Sequence, residues 1–415
     1  MNAFTLAFVL LIAADLAVRG WLALRQIRHV HQHRDTVPEV FADRFTLEAH
    51  QRAADYTIAK TGFGVLELLA GSVLLLLWTL GGGLDALDRL WRWLSPGDLT
   101  VGVGFLLSAV VLMSLLELPL AAYRSFVIEQ RFGFNRSGPG LFLLDTLKGL
   151  LLTVLVGAPL AWVVLWLMQL GGSLWWVWVW AVWTGFGLLM GWAYPSFIAP
   201  LFNRFTPLPE GDLKQRIQDL LARCGFTSNG IFVMDGSRRS AHGNAYFTGL
   251  GNHKRIVFFD TLIESLEAQE TEAVLAHELG HFRRRHFRKR VLSMAAISLV
   301  ALALLGWLAQ HPGFYTGLGA GQPSPQMALA LFLLCAPLGG LALQPVAAYF
   351  MRRHEFEADD FAAEQTGAGA LVRALVKLYR ENASTLTPDP LYSAFYDSHP
   401  PAPMRVAHLS SKMVS

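Results

Sequence analysis

Residues 273–286 read AVLAHELGHFRRRH, and from 291 to 309 the chain continues as VLSMAAISLVALALLGWLA, without a charged residue. A run of that length and polarity can cross the hydrocarbon core of a bilayer, which takes about 20 residues at a helical rise of about 1.5 Å each. Two histidines and a glutamate therefore stand beside a membrane span. Read as one continuous helix, the residues from His281 to Val291 put the histidines roughly 15 Å from the start of that span.

Working outward, the same criterion marks seven spans, near residues 3–19, 61–80, 101–121, 140–168, 174–194, 291–309 and 327–349. Composition agrees: of 415 residues, 53% are hydrophobic, only 16% are charged and 13 are tryptophan, the balance of a membrane protein. The expected fold is mainly α, a polytopic membrane protein with a cytoplasmic domain that contains a small β-sheet. Residues 1–194 carry spans one to five, 195–290 form a soluble piece with HELGH, 291–349 carry spans six and seven, and 350–415 form a second soluble piece. The first span is not read as a secretion signal, because MNAFTLAFVLLIAADLAVRG has no basic start and carries Asp15 and Arg19. Those two lie four apart and can neutralise one another on one helix side. Glu67, Glu117, Asp145 and Lys148 lie within spans and must face protein or water. The tryptophan-dense SLWWVWVWAVW at 173–183 reads as an interfacial belt followed by lipid-facing surface.

Two cysteines, Cys224 and Cys335, stand alone, which excludes a disulfide framework or a CxxC metal site. The net charge of +3 is too small to indicate a nucleic-acid partner. Orientation follows from the basic residues of the short loops. Six lie after the first span (Arg25, Arg28, Arg34, Arg44, Arg52, Lys60) and three after the third (Arg124, Arg131, Arg136). Only two, Arg89 and Arg92, follow the second, and none follow the fourth or sixth. Cytoplasmic loops hold the excess, so the N-terminus is expected outside and both soluble pieces in the cytoplasm.

In a helix, residues four apart share a face, so His277 and His281 can grip one metal ion while Glu278 leans toward the same space. TEAVLAHEL is good helix sequence with no proline. His286 is not placed as a third ligand: a metzincin needs glycine and histidine three and six residues after the second histidine, where this chain has Arg284 and Phe287. It reads as a polar residue at the lipid headgroups. RRHEFEADDFAAEQ at 352–365 offers Glu355 and Asp359, four apart on another helix, which suits one to bind metal and the other to hold a ligand from behind. Ligands of one ion must share a membrane side, and two crossings separate His281 from Glu355. An even number returns Glu355 to the histidines.

Beyond HELGH, the chain carries EQRFGFNR at 129–136, APLFNRFTPLPEG at 199–211, GNAYFTG at 243–249, EFEAD at 355–359 and HPPAPMR at 399–405. In these motifs, their order and its seven spans it resembles the type-I CAAX prenyl proteases, integral-membrane zinc endopeptidases that mature the yeast a-factor pheromone and prelamin A. The resemblance implies a helical barrel around a chamber and a gluzincin site with one zinc ion held by His277, His281 and Glu355. An open fourth position separates such a catalytic site from a structural one. Glu278 is then the general base and proton donor, and Asp359 fixes the tautomer of a ligand imidazole. His399 donates to the oxyanion and Arg405 orders nearby carboxylates. IFVMDGSRRSAHGNAYFTG and KRIVFFDTL read as two strands before the HELGH helix. An edge strand there is expected to bind extended substrate, with Asn244 either the contact or a residue that shapes a turn, and with His242 a polar residue near the site.

The expected partners are the lipid bilayer and a peptide or protein substrate, prenylated or membrane-associated. The expected location is a bacterial inner membrane, favoured by the short Ala/Leu/Arg-rich chain, or the endoplasmic reticulum membrane of a eukaryote. The work expected is CAAX-type processing or the clearing of misfolded or translocation-stalled membrane proteins. A scaffold or transporter that kept the fold and lost the chemistry is the alternative from another class. The intact His277, Glu278, His281 and Glu355 argue against it.

Overall fold

The computed structural model describes residues 2–95, 97–248 and 255–413. Seven helices among them have the length and polarity of membrane spans: Ala3–Gln32, Leu47–Trp78, Asp98–Glu129, Pro139–Leu170, Gly172–Phe202, His286–Leu308 and Pro325–Thr366. They coincide with the seven apolar windows, and several run well past them, since a helix can leave lipid by changing its side chains alone. The seventh has 42 residues, about 63 Å at 1.5 Å per residue. That is roughly twice the hydrocarbon thickness, so its last turns, with Glu355 and Asp359, stand clear of the apolar window.

Two large hydrophobic cores and a smaller cluster around Tyr56, Phe132 and Phe134 organise the described residues. One gathers Phe8, Leu84, Phe105, Leu165, Leu305 and Leu331, where the membrane helices converge at the ends away from HELGH. The other joins Ile217, Phe258, Leu275, Leu279, Leu371 and Val406, and also takes Phe41 and Phe45 from the linker between the first two helices. Along the spans Leu155, Trp178, Leu292 and Val300 remain exposed, large apolar surface of the kind a membrane covers.

The second core includes a four-stranded sheet of order β1-β2-β4-β3, with β1 Phe205–Pro207, β2 Ile231–Met234, β3 Ala245–Thr248 and β4 Arg255–Phe259. β2 and β4 are parallel, and β1 and β3 flank them antiparallel. The two expected strands are thus four. The Gly and Asn that break IFVMDGSRRSAHGNAYFTG separate β2 from β3, and β1 is too short to show an alternating pattern. Lys254, the start of the second stretch, lies outside the described residues.

Polar clamps tie the two parts together. Arg239 makes a two-pronged ion pair with Asp145 (2.7 and 3.0 Å) and donates to Asn203 Oδ1. The loop of EQRFGFNR pairs with the chain before β3, through Arg136 N to Arg239 O and Ala241 N to Phe134 O. Arg25 pairs with Asp389 at 2.9 Å. Most charges inside spans are accounted for in the same way: Asp15 pairs with Arg19 at 2.7 Å, Glu67 with Arg124, and Lys148 donates to Leu201 O, while Glu117 is exposed and has no partner among the described residues. Between the parts lies a cavity of about 1110 Å³, lined by Arg19, Tyr56, Lys60, His242, His399 and Arg405 among others.

Two expectations change. The tryptophan-dense stretch is only partly lipid-facing. Trp178 and Trp183 are exposed, but Trp175 is buried and Trp180 donates to Ala295 O of the sixth helix at 2.8 Å. The HELGH helix also does not run on into the sixth span. It ends at Arg283, and Arg285 takes a left-handed conformation (φ 59°) before a new helix starts at His286, so the 15 Å offset along a single helix does not hold.

Candidate metal centre

The helix Ala268–Arg283 begins with a reciprocal capping box between Glu267 and Glu270, which satisfies backbone donors that the first turn leaves open. It packs against the end of the seventh helix. Gly280 permits the contact: a Cβ there would stand 3.0 Å from both the Cα and the O of Ala358. The small residue inside HELGH therefore sets how closely Glu355 approaches the two histidines.

At this crossing His277 Nε2 and His281 Nε2 lie 3.2 Å apart. The oxygens of Glu355 lie 3.4 Å from the first and 3.1 Å from the second. Bond lengths of about 2.0–2.2 Å around tetrahedral zinc place neighbouring ligand atoms about 3.3 Å apart, so the donor set fits the ion. Electrostatics point the same way. Burial alone pushes the His277 imidazolium down, yet its hydrogen bonds to Asp359 and Glu355 outweigh this and raise its pKa to about 9. The two carboxylates thus favour positive charge on the His277 ring, Asp359 from the Nδ1 side and Glu355 from the Nε2 side.

Behind His277, its Nδ1 lies 2.8 Å from Asp359 Oδ1. Asp359 in turn accepts from Arg405 Nε at 2.9 Å and Nη2 at 2.5 Å. All three are buried. Burial works against the Arg405 charge and Asp359 more than restores it. His399, with its side chain 63% exposed, lines the cavity and sets Nδ1 2.6 Å from Glu355 Oε2. Glu278, half-buried between the two histidines, has no hydrogen-bond or ion-pair partner among the described residues, which leaves its carboxylate open to take a proton.

β3 packs beside this helix, with Phe247 and Phe282 rings 5.8 Å apart. It forms one edge of the sheet. Asn244, just before it, is exposed and accepts from Ala245 N at 2.8 Å, a local turn contact. His242 stacks on Phe134 (4.2 Å) and approaches Asn382 Oδ1 (3.1 Å) and Glu129 (3.5 Å). Tyr56 donates to the same Glu129 at 2.8 Å. His242 thus joins the membrane helices to the soluble core at the cavity wall.

Two family models cover the chain: "CAAX prenyl protease N-terminal, five membrane helices" matches residues 26–204, and "Peptidase family M48" matches 207–413. A CAAX prenyl protease 1 homolog of Arabidopsis thaliana is 32% identical, over 92% of this chain and 91% of its own. The chain belongs to the M48 CAAX prenyl protease family. CAAX prenyl protease 1 of Saccharomyces cerevisiae is 31% identical over 95% of this chain and 93% of its own. The crystal structure of S. mikatae Ste24p superposes with a TM-score of 0.91 at 30% identity, covering 99% of both chains. The protein is accordingly a multi-pass membrane metalloendopeptidase that acts on peptide or protein, and its family implies zinc.

The structure brings His277, His281, Glu355, Asp359, His399 and Arg405 into one cluster, with Glu278 on the same helix. Asn244 and His242 stand nearer the sheet edge and the cavity wall. His286 departs from its reading as a headgroup residue, being buried against His281. Tyr56 and Asn382 were also missed. Glu129 and Phe134 sit inside EQRFGFNR, so that motif was the available signal for the wall around His242.

Proposed function

We propose that this membrane protease cuts peptide bonds at the cytoplasmic face, with zinc held by His277, His281 and Glu355. The observation that carries the reading is the convergence of three ligand atoms beside the Glu278 carboxylate, which has no partner among the described residues. A zinc ion held there supplies Lewis acidity, acidifying water toward a pKa of about 7 and polarising a peptide carbonyl. Glu278 takes the proton of the attacking water and passes it to the leaving amine. Asp359, fixed by Arg405, keeps the His277 hydrogen on Nδ1 so that Nε2 faces the ion. His399 stands at the open rim, where a ring N–H can meet the charge developing on the carbonyl oxygen. The β3 edge of the described sheet receives the substrate as an added strand, with Asn244 at its start.

The basic residues of the loops support the cytoplasmic orientation, and the composition favours a bacterial inner membrane. The soluble segments 195–290 and 350–415 together make the catalytic part, and 1–194 with 291–349 make the membrane part. The names of the relatives make a C-terminal CAAX segment the first substrate to try, and the cavity beside Arg405 and His399 gives a membrane-held chain a route to the site.

Glu278→Gln in the purified protein is expected to retain zinc and lose about 10²–10⁴-fold in cleavage rate. A parent protein without zinc, or undiminished cleavage by the variant, overturns the mechanism. Comparing a farnesylated CAAX peptide with its unprenylated twin tests the substrate. Equal rates would turn the reading toward general clearing of membrane proteins.

A further inference from the structure

We propose that His286 is the positioning residue of the second ligand imidazole, His281, and that Glu357 fixes the tautomer in which His286 works. This rests on the ligand set proposed above.

His286 is buried, at 6% exposure. Its Nδ1 lies 3.0 Å from His281 Nδ1, and its Nε2 lies 3.0 Å from Glu357 Oε2. The ring is held from one side by His354, stacked at 3.9 Å and 16°. Two ring nitrogens can share one hydrogen bond only if one carries the hydrogen and the other does not. His281 turns Nε2 toward His277 and Glu355, so as a ligand it keeps that nitrogen bare and carries its hydrogen on Nδ1. His286 Nδ1 must then accept, which leaves its own hydrogen on Nε2, where Glu357 is in place to receive it. The series from His281 Nδ1–H to His286 Nδ1, and from His286 Nε2–H to Glu357, has a donor and an acceptor at every step. It is the counterpart, for His281, of what Asp359 does for His277.

The chain break explains how His286 reaches this place. On an unbroken helix a residue five positions after His281 points about 140° away from it. The left-handed Arg285 turns the chain instead, with Arg284 N donating to Gly280 O and Arg285 N to Phe282 O. The first residue of the sixth helix then faces back onto the metal-binding helix. The span and the ligand are thereby coupled, because the side chain that orients His281 belongs to the helix that enters the membrane.

Partners that orient a ligand imidazole typically contribute about 10–100-fold in metal affinity. The test is zinc retention by the full-length protein in detergent against graded chelator, with the thermal midpoint of the metal-free protein measured in parallel. His286→Leu is expected to lose zinc at about 10–100-fold lower chelator. His286→Asn, whose Oδ1 can accept from His281 Nδ1–H, is expected to recover most of that loss. Glu357→Leu is expected to lose less than His286→Leu, with the metal-free midpoint near that of the parent. Zinc retention by His286→Leu equal to the parent overturns the proposal. So does a His286→Asn variant as poor as His286→Leu. Should His286→Leu fail to fold, unchanged retention in Glu357→Leu overturns it alone. His281→Ala separates the two readings: if that variant keeps zinc, the ligand set itself is wrong, whatever His286 does.

Discussion

The two sides of the metal centre are built differently. On the His277 side, Asp359 (0% side-chain exposure) and Arg405 (7%) form a closed, fully buried pair. On the His281 side, His286 is buried but Glu357 is 30% exposed and shared with Lys289 and Arg353 at 3.8 and 3.4 Å. Each contacts one imidazole, and only the second is partly open to water. The lesson is that two proposed ligands, four residues apart on one helix, can be held by unequal surroundings. One is locked by the soluble core, the other by the start of a membrane helix.

The largest effect should therefore come from the closed side. Asp359→Leu leaves Arg405 buried without its carboxylate and should cost about 3–5 kcal/mol of stability in the metal-free protein, read from denaturant unfolding. The double variant Asp359→Leu, Arg405→Met should recover much of it. If single and double variants unfold alike, the closed side is not an ion-pair lock. Next, Gly280→Val drives side-chain atoms into the Ala358 backbone. It should cost about 1–3 kcal/mol through overpacking and separate Glu355 from the histidines, with zinc content falling. Normal zinc content in that variant would show that the close approach of the two helices does not set the ligand spacing. The smallest effect belongs to the open side. Glu357→Gln keeps an oxygen that accepts from His286 and removes a partly exposed charge, so it should change stability by no more than about 0.5–1 kcal/mol. A loss as large as that of Asp359→Leu would erase the contrast between the sides.

Much of the site was legible because its spacing is local. His277 with His281, and Glu355 with Asp359, are i,i+4 pairs whose common face follows from helix geometry alone. The two intervening spans return Glu355 to the right side by parity. His399 and Arg405 could be carried over only from a motif, since nothing in their own neighbourhood says what they touch. His286 was misread for an opposite reason. The helical pattern from AVLAHEL into the sixth span has no proline or glycine at the break, so nothing local announces a left-handed arginine. β1, three residues long, is likewise too short for periodicity to reveal.

The sequence by itself determined the seven spans and the two i,i+4 pairs, His277 with His281 and Glu355 with Asp359. Hydrocarbon thickness and the 3.6-residue turn translate directly into residue counts. Only the tertiary structure decided how near the two helices come at Gly280 and Ala358, that His286 turns back to His281, and that a cavity opens between the membrane helices and the catalytic part. Those features depend on contacts between residues far apart in the chain, and on one backbone torsion that a non-glycine residue adopts only when the surrounding packing enforces it.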